Sequence, residues 1–300
     1  LYIKISALQK QTIACIINPK SGVRQNKNLQ DEILSTLDTD RYHIEFFETK
    51  RRGHATELAE KIVSEGYDIL LVCGGDGTIN EAVQPIVNKD ILLGIIPTGS
   101  GNGLSMHTGI GREHTEAIHI INRQKILKID CIRYGDKFLI NLAGIGFDGF
   151  LTKIIARKTY RGFWLYIWLF IRYFWTYKPS TYYIETNTES IKGRYNMIEI
   201  ANGPMYGYNF EVVPGADIAD GIIDILLLKK TPIWRILLDS VKLMKNKWEQ
   251  ISWAKRIQCT SVSIQSDAPL KMHVDGEYVD QNVTSIAFQI LPKSINFIIP

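Results

Sequence analysis

Apolar residues in the first part of the chain fall in short runs separated by segments of helical periodicity. Positions 12–17, 42–48, 67–73 and 92–96 read as strands, and the 67–73 run is apolar enough to be a buried one. Between them, 29–37, about 55–65 and the segment after Asp76 space their apolar residues as helices do. Such alternation predicts a parallel sheet covered by helices, an N-terminal Rossmann-like α/β domain. Near residue 130 the pattern changes: short strands at 138–142, 182–186, 196–201, 222–228, 261–265, 270–274, 285–291 and 295–299 are separated by turn residues. They predict an antiparallel C-terminal β-rich sandwich, interrupted by helices around 150–177 and 232–247. The expected division is 1–130 and 131–300, with the final strand able to return toward the first domain.

Composition narrows the class. With 300 residues and 45% hydrophobic content, the chain can bury a substantial core. Its net charge of +4 is spread out and forms no dense basic blocks, which excludes a nucleic-acid partner. Cys15, Cys73, Cys131 and Cys259 lie far apart in apolar runs without a CxxC pair, and read as reduced thiols of a cytoplasmic protein. Residues 1–11 mix Lys4 and Lys10 into an alternating pattern, so no signal peptide is expected. The run 162–179 carries Arg172 between Arg157, Lys158, Arg161 and Lys178, and is too short and too charged for a membrane span.

Several chemistries are missing. There is no GxxxxGK[ST], no HRD with DFG and no HExxH. "GIGFDG", residues 144–149, satisfies GxGxxG after a strand, but it lies outside a first βαβ unit and lacks the acidic residue about 20 positions on. What stands out is a set of glycine-rich corners, "NPKSG" at 18–22, "GGDGT" at 74–78 and "PTGSGNG" at 97–103, each following a predicted parallel strand. Corners at the carboxyl ends of parallel strands share one sheet edge, where ligands bind. Glycine lets backbone N–H groups approach a bulky anion. Hydroxyls of Ser21, Thr78, Thr98 and Ser100 and amides of Asn18, Asn80 and Asn102 add polar partners, so the corners suit a polyphosphate. Each corner taken alone also reads as a plain tight turn.

"GGDGTINE", "NPKSG" and "PTGSGNGLS" resemble the diacylglycerol kinase catalytic-domain family, which includes bacterial lipid kinases, sphingosine kinases and ceramide kinases. The similarity continues through "INLAGIGFDG", "NGPMYGYNFEVVPGADIADGIIDILLL" and "HVDGEYV". The resemblance implies an ATP-dependent lipid kinase with a nucleotide-binding α/β domain, a β-rich lipid domain and a cleft between them. It carries nucleotide contacts onto Asn18, Pro19, Lys20, Ser21, Gly22, Thr49, Gly74, Gly75, Asp76, Gly77, Thr78, Ile79, Asn80, Glu81 and Ser100. By the same resemblance Asp76 is a ligand of the nucleotide or of Mg²⁺-bound water, with a base role in some branches. Glu277 matches the general base, which accepts the proton of a poorly nucleophilic lipid hydroxyl. Its "DGE" also reads as a hairpin turn, and Asp275 is a candidate for orienting the site. In "GADIADGIID" the resemblance implies a structural Mg²⁺ held by Asp220 and by backbone carbonyls of Asp217 and Ile222, against a plain solvated turn.

Two departures bear on the substrate. The bacterial pattern places an Asp after the Asn of the third corner in a Mg²⁺ network; this chain has Gly103, while Asp130 matches another member of that network. "GSGNGL" is similar to the sphingosine and ceramide kinase branch, where an acidic residue near "GFD" contacts the acceptor's polar head, which points to Asp148. Diacylglycerol is the leading acceptor, with a sphingoid base or ceramide as alternatives. A kinase of a soluble acceptor and a catalytically silent lipid- or nucleotide-binding protein are the other classes. The aromatic stretch 163–177, bracketed by basic residues, reads as a peripheral membrane-docking segment, an acyl-chain entrance or a core helix. The oligomeric state is open, a homodimer included.

Overall fold

The computed structural model describes residues 10–22, 28–156, 158, 163–207, 210–245, 247, 250–279 and 282–300; Lys4 with its neighbours, Arg157 and Arg161 lie outside them. The first part runs β1 (Gln11–Ile17), α1 (Leu29–Thr36), β2 (Tyr42–Glu48), α2 (His54–Glu65), β3 (Ile69–Gly74), α3 (Asp76–Val83), β4 (Leu92–Pro97), α4 (Gly103–His107) and α5 (His114–Arg123). There follow β5 (Lys125–Tyr134), β6 (Lys137–Leu139), β7 (Leu142–Gly146), α6 (Phe147–Ala156), α7 (Phe163–Phe174), β8 (Ser180–Thr186), β9 (Ser190–Tyr195) and β10 (Met197–Ala201). The remainder comprises β11 (Met205–Gly207), β12 (Phe210–Glu211), β13 (Ile223–Leu228), α8 (Ile233–Met244), β14 (Ala254–Cys259), β15 (Ser261–Ser266), β16 (Met272–Val274), β17 (Glu277–Val279) and β18 (Ser285–Ile299).

The expected mixed architecture is present. Strands β2, β1, β3 and β4 pair in parallel, and the run from Ile69 to Gly74 is buried throughout, as a strand covered on both faces must be. A separate six-stranded antiparallel sheet has the order β14-β13-β10-β7-β16-β17. Its inner face packs Ala143, Ile145, Ile198, Ile200, Ile225 and Met272 against Ile132, Ile184, Val262, Ile264 and Phe288, which makes a sandwich core.

The second layer of that sandwich is continuous with the parallel sheet. The order β2-β1-β3-β4-β18-β15-β8-β9, with β5 on β18 and β6 on β5, forms one ten-stranded sheet. The junction is β18, which lies between parallel β4 and antiparallel β5 at Asn296 and Phe297 and between β5 and antiparallel β15 at Phe288 and Gln289. The stretches 285–291 and 295–299, which read as two strands, are this one strand with an irregular register between Leu291 and Ile295. At the irregularity Lys293 has φ 52 and gives its N–H to Asp130 Oδ1 at 2.6 Å. Strand β5 escapes a hydrophobic-pattern reading because Lys128, Asp130 and Arg133 interrupt its apolar residues.

Phe297, fully buried and paired across β18 with Leu93 and Leu127, anchors this junction. Phe297→Ala should lower the unfolding free energy by about 3–5 kcal/mol in a urea titration. A loss below about 1 kcal/mol would mean that the shared strand is not what holds the two parts as one body.

Candidate active site

Strands β1, β3 and β4 lie side by side, so the turns that leave them share one rim. The turns are also bonded to each other. Asn18 N–H donates to Cys73 O at 2.9 Å, and its Nδ2 to Thr78 Oγ1 at 2.8 Å. Thr98 gives its N–H to Gly74 O at 3.1 Å and its hydroxyl to Ser21 Oγ at 2.9 Å. Pro19, Lys20 and Ser100 are exposed on this rim, and Thr49 joins it through its N–H on Ile17 O, 2.9 Å. Two of the predicted contacts point elsewhere. Ile79 is buried in the core, and the Glu81 carboxylate accepts the N–H groups of Gly53 (2.8 Å) and Ala55 (3.3 Å) at the start of α2.

Asp76 opens α3 and accepts the backbone N–H groups of Gly103 (3.0 Å) and Leu104 (3.2 Å), which ties the second corner to the third. Burial raises its pKa, and those amides oppose the rise. Beside it, Asn102 stands in a left-handed conformation, and its buried Oδ1 has no hydrogen-bond partner among the described residues.

The "DGE" turn brings the second sheet to this rim. Asp275, at φ 45, accepts Asn80 Nδ2 at 2.5 Å and the N–H groups of Ile140, Asn141 and Leu142 at 3.3, 3.2 and 3.0 Å. Two residues on, Glu277 reaches over the glycine corner: a Cβ on Gly77 would stand 3.0 Å from Glu277 Oε1, so any side chain there would press on that carboxylate. Its other oxygen receives Arg52 Nη2 at 2.6 Å, from the loop that leads into α2. Glu277 therefore stands over the residue that follows Asp76. Burial lifts Asp275 to about 6, and among the other contributions the negative charge of Asp76 pushes the same way.

Asp148 is placed differently from the corners. It lies fully buried under α7, with Oδ2 on His273 Nε2 at 2.6 Å and Oδ1 accepting the Tyr166 hydroxyl at 2.8 Å. Glu199 completes a compact buried group. Register explains it: Gly144 on β7 is paired with Glu199 on one side and His273 on the other, and a side chain at 144 would collide with all three polar groups. Burial, then the Asp148 charge, holds the Glu199 carboxyl well above the usual range. In the 217–222 turn, Asp217 Oδ1 accepts Ala219 N–H (3.0 Å) and Asp220 Oδ1 accepts Ile222 N–H (2.9 Å). Asp130 Oδ2 takes Gly221 N–H at 2.6 Å. Asp220 is raised by burial and then by the charges of Asp224, Asp217 and Asp130, a concentration of hard oxygen donors suited to a divalent cation.

Glycine corners with a carboxylate set over one of them suit phosphoryl transfer, and comparison with known proteins places the chain in that class. Residues 12–134 match the diacylglycerol kinase catalytic domain, and residues 142–299 match the YegS C-terminal NAD kinase beta sandwich-like domain. The chain belongs to the diacylglycerol kinase catalytic-domain family, and is a lipid kinase. Diacylglycerol kinases of Staphylococcus haemolyticus and of Staphylococcus aureus are 27% and 28% identical over 273 residues, which span 88% of this chain and 81% and 85% of theirs. A diacylglycerol kinase crystal structure from Bacillus anthracis superposes with a TM-score of 0.73 at 19% identity and 98% coverage of both chains, a likeness of fold.

Arg52, Glu199, His273 and Tyr166 went unread in the sequence. A glutamate inside the apolar run of β10 was the available signal for one of them; Arg52 lies in an ordinary basic stretch. The shifted Asp275 gives a pH test. Its carboxyl titrates near 3.8 in the unfolded chain and about 6 in the folded one, so the folded state holds more protons between those values. Stability must fall as pH rises through that window. Relative to Asp275→Asn, the wild type should lose up to about 3 kcal/mol between about pH 4 and about pH 6 in urea titrations. Parallel pH profiles for the two proteins would refute the assignment.

Proposed function

We propose that this lipid kinase moves the γ-phosphoryl group of ATP to the hydroxyl of a membrane lipid, with diacylglycerol as the acceptor. The observation that carries the reading is the Glu277 carboxylate poised over Gly77 of the "GGDG" corner. The triphosphate lies along the rim made by Asn18 to Gly22, Gly74 to Asn80 and Ser100, held by backbone N–H groups and hydroxyls, with Thr49 alongside. Glu81 acts from behind, by fixing the loop that carries Arg52. Glu277 accepts the acceptor's proton, and Arg52, now paired with it, is within reach of the charge that develops on the phosphoryl group.

Asp76 and the buried, unpartnered Oδ1 of Asn102 would hold a Mg²⁺ ion beside the nucleotide. Such an ion neutralises charge on the transferring group. A second, structural Mg²⁺ fits the turn of Asp217, Asp220 and Ile222, where the acidic charges now repel one another. Asp148 lies beneath the acceptor region, but its carboxylate is bonded to His273 and Tyr166. This favours a neutral head such as that of diacylglycerol over a sphingoid cation, which would need the carboxylate for itself. The protein works as a peripheral enzyme at the cytoplasmic membrane surface, through α7. In the described residues no helix is long and apolar enough to cross a membrane.

The test is label transfer from ATP with Mg²⁺ to detergent-dispersed diacylglycerol, monoacylglycerol, sphingoid base, ceramide and NAD. Diacylglycerol should be labelled fastest, and transfer to NAD alone overturns the reading. Glu277→Gln should lower kcat by about 10²–10⁴-fold with KM for ATP within about threefold; an unchanged kcat removes Glu277 as the base. Mg²⁺ without nucleotide should raise the melting temperature of the wild type and leave that of Asp220→Ala unmoved.

A further inference from the structure

Helix α8 is built inside out. Its polar Asp239 is buried, accepting Trp253 Nε1 at 2.9 Å on one oxygen and Lys242 Nζ at 2.6 Å on the other. Four of its large apolar residues face solvent instead: Trp234, Leu237, Leu238 and Val241 follow one another at i, i+3, i+4 and i+7, and Leu238 is 70% exposed. A helix that folds with this face toward water leaves out the burial that normally stabilises an amphipathic helix. Its neighbour does the same. On α7, Leu169 and Phe174 are buried inward, while Trp164, Trp168 and Ile171, with Trp175 just beyond the helix, line the outer side, Trp164 at 76% exposure.

The two helices are joined on their inner sides and at their ends. Ile236 of α8 packs against the same apolar cluster as Leu169 and Phe174 of α7. Lys230, just before α8, donates to Trp175 O (2.9 Å) and Tyr177 O (2.8 Å), clamping the end of one helix to the start of the other. An exposed apolar patch of this extent marks an interaction site.

Charge selects the occupant. Segments 163–178 and 229–247 carry eight Lys and Arg and a single acid, the buried Asp239. A second copy seated on this face through a two-fold interface would set like charge against like. An anionic bilayer meets both needs, because Trp favours the headgroup boundary, Leu and Val the acyl region just below it, and Lys or Arg anionic headgroups.

We propose that α7 and α8 together form a two-helix platform that docks the enzyme on the surface of an anionic bilayer, with α8 as an equal partner of the aromatic helix. The proposal rests on the lipid-kinase reading for its purpose and stands on its own geometry. The test is co-sedimentation of the full chain with phosphatidylcholine vesicles, pure or mixed with phosphatidylglycerol, alongside phosphotransfer to detergent-dispersed diacylglycerol. Wild type should bind mixed vesicles at least about tenfold more tightly than neutral ones. Leu237→Glu with Leu238→Glu should weaken that binding about tenfold or more, while micellar activity stays within about twofold. Lys245→Glu with Lys247→Glu, on exposed positions, should remove most of the preference for anionic vesicles.

A folded Leu237→Glu, Leu238→Glu protein that binds mixed vesicles like wild type overturns the platform. So does light scattering that finds a wild-type dimer which this variant dissociates. Vesicle binding without any phosphotransfer in micelles would instead sink the kinase reading and leave the docking surface in place.

Discussion

The carboxylate of Asp275 is the point on which the geometry of the cleft turns. It sits in a left-handed turn, a conformation that asparagine and aspartate tolerate better than most residues. From there it gathers three consecutive backbone amides and the Asn80 side chain. An unsatisfied buried carboxylate is strongly unfavourable, and four donors are what make this one tenable. Because Asn80 belongs to the helix of the glycine corner and the amides to the strand region before β7, one residue fixes the angle between nucleotide rim and second sheet. Glu277, two positions on, inherits its place over Gly77 from that bond.

The sheet topology supports the same rigidity. Strand β18 gives one end to the parallel sheet and the other to the sandwich, and Lys293 at its irregularity is held by Asp130. Asp130 in turn receives Gly221 N–H from the acidic turn. The strand junction and the "GADIADG" loop are therefore one hydrogen-bonded unit. A charge placed in that turn acts on the join between the two halves of the molecule, at a distance from the rim.

The parts legible in the sequence were those whose chemistry is local. Glycine corners after apolar runs, Asp76 at a helix start and Glu277 after Asp-Gly are read within a few residues of themselves, and the order of strands and helices from β1 to β4 follows from periodicity alone. The buried Asp148, Glu199 and His273 group was not legible, because residues from three distant segments meet only through the register on either side of Gly144. Nor was the orientation of α7 or α8. An all-round apolar helix gives no phase, and in α8 the single acid, which pattern reading assigns to the solvent side, is turned inward by Trp253. Glu81 misled for a related reason: motif position places it at the phosphate rim, whereas its side chain finds unpaired amides at the start of α2.

The inner side of α7 shows how the aromatic helix and the Asp275 turn are physically joined. Tyr166 on that helix donates to Asp148, Asp148 pairs with His273, and His273 lies on β16, which leads directly into Asp275. The Asp148–His273 contact is fully buried and the Tyr166 contact partly so, so competing water weakens them little, and Asp148 or His273 displaced from its partner would be left in a dry interior. The aromatic helix cannot shift across the sheet without breaking them. Its outer tryptophans are therefore held in a fixed relation to the carboxylate two residues beyond Asp275. On the proposed reading, in which α7 docks the enzyme on a bilayer and Glu277 is the base, that fixed relation holds the base at a set depth from the surface that carries the acceptor.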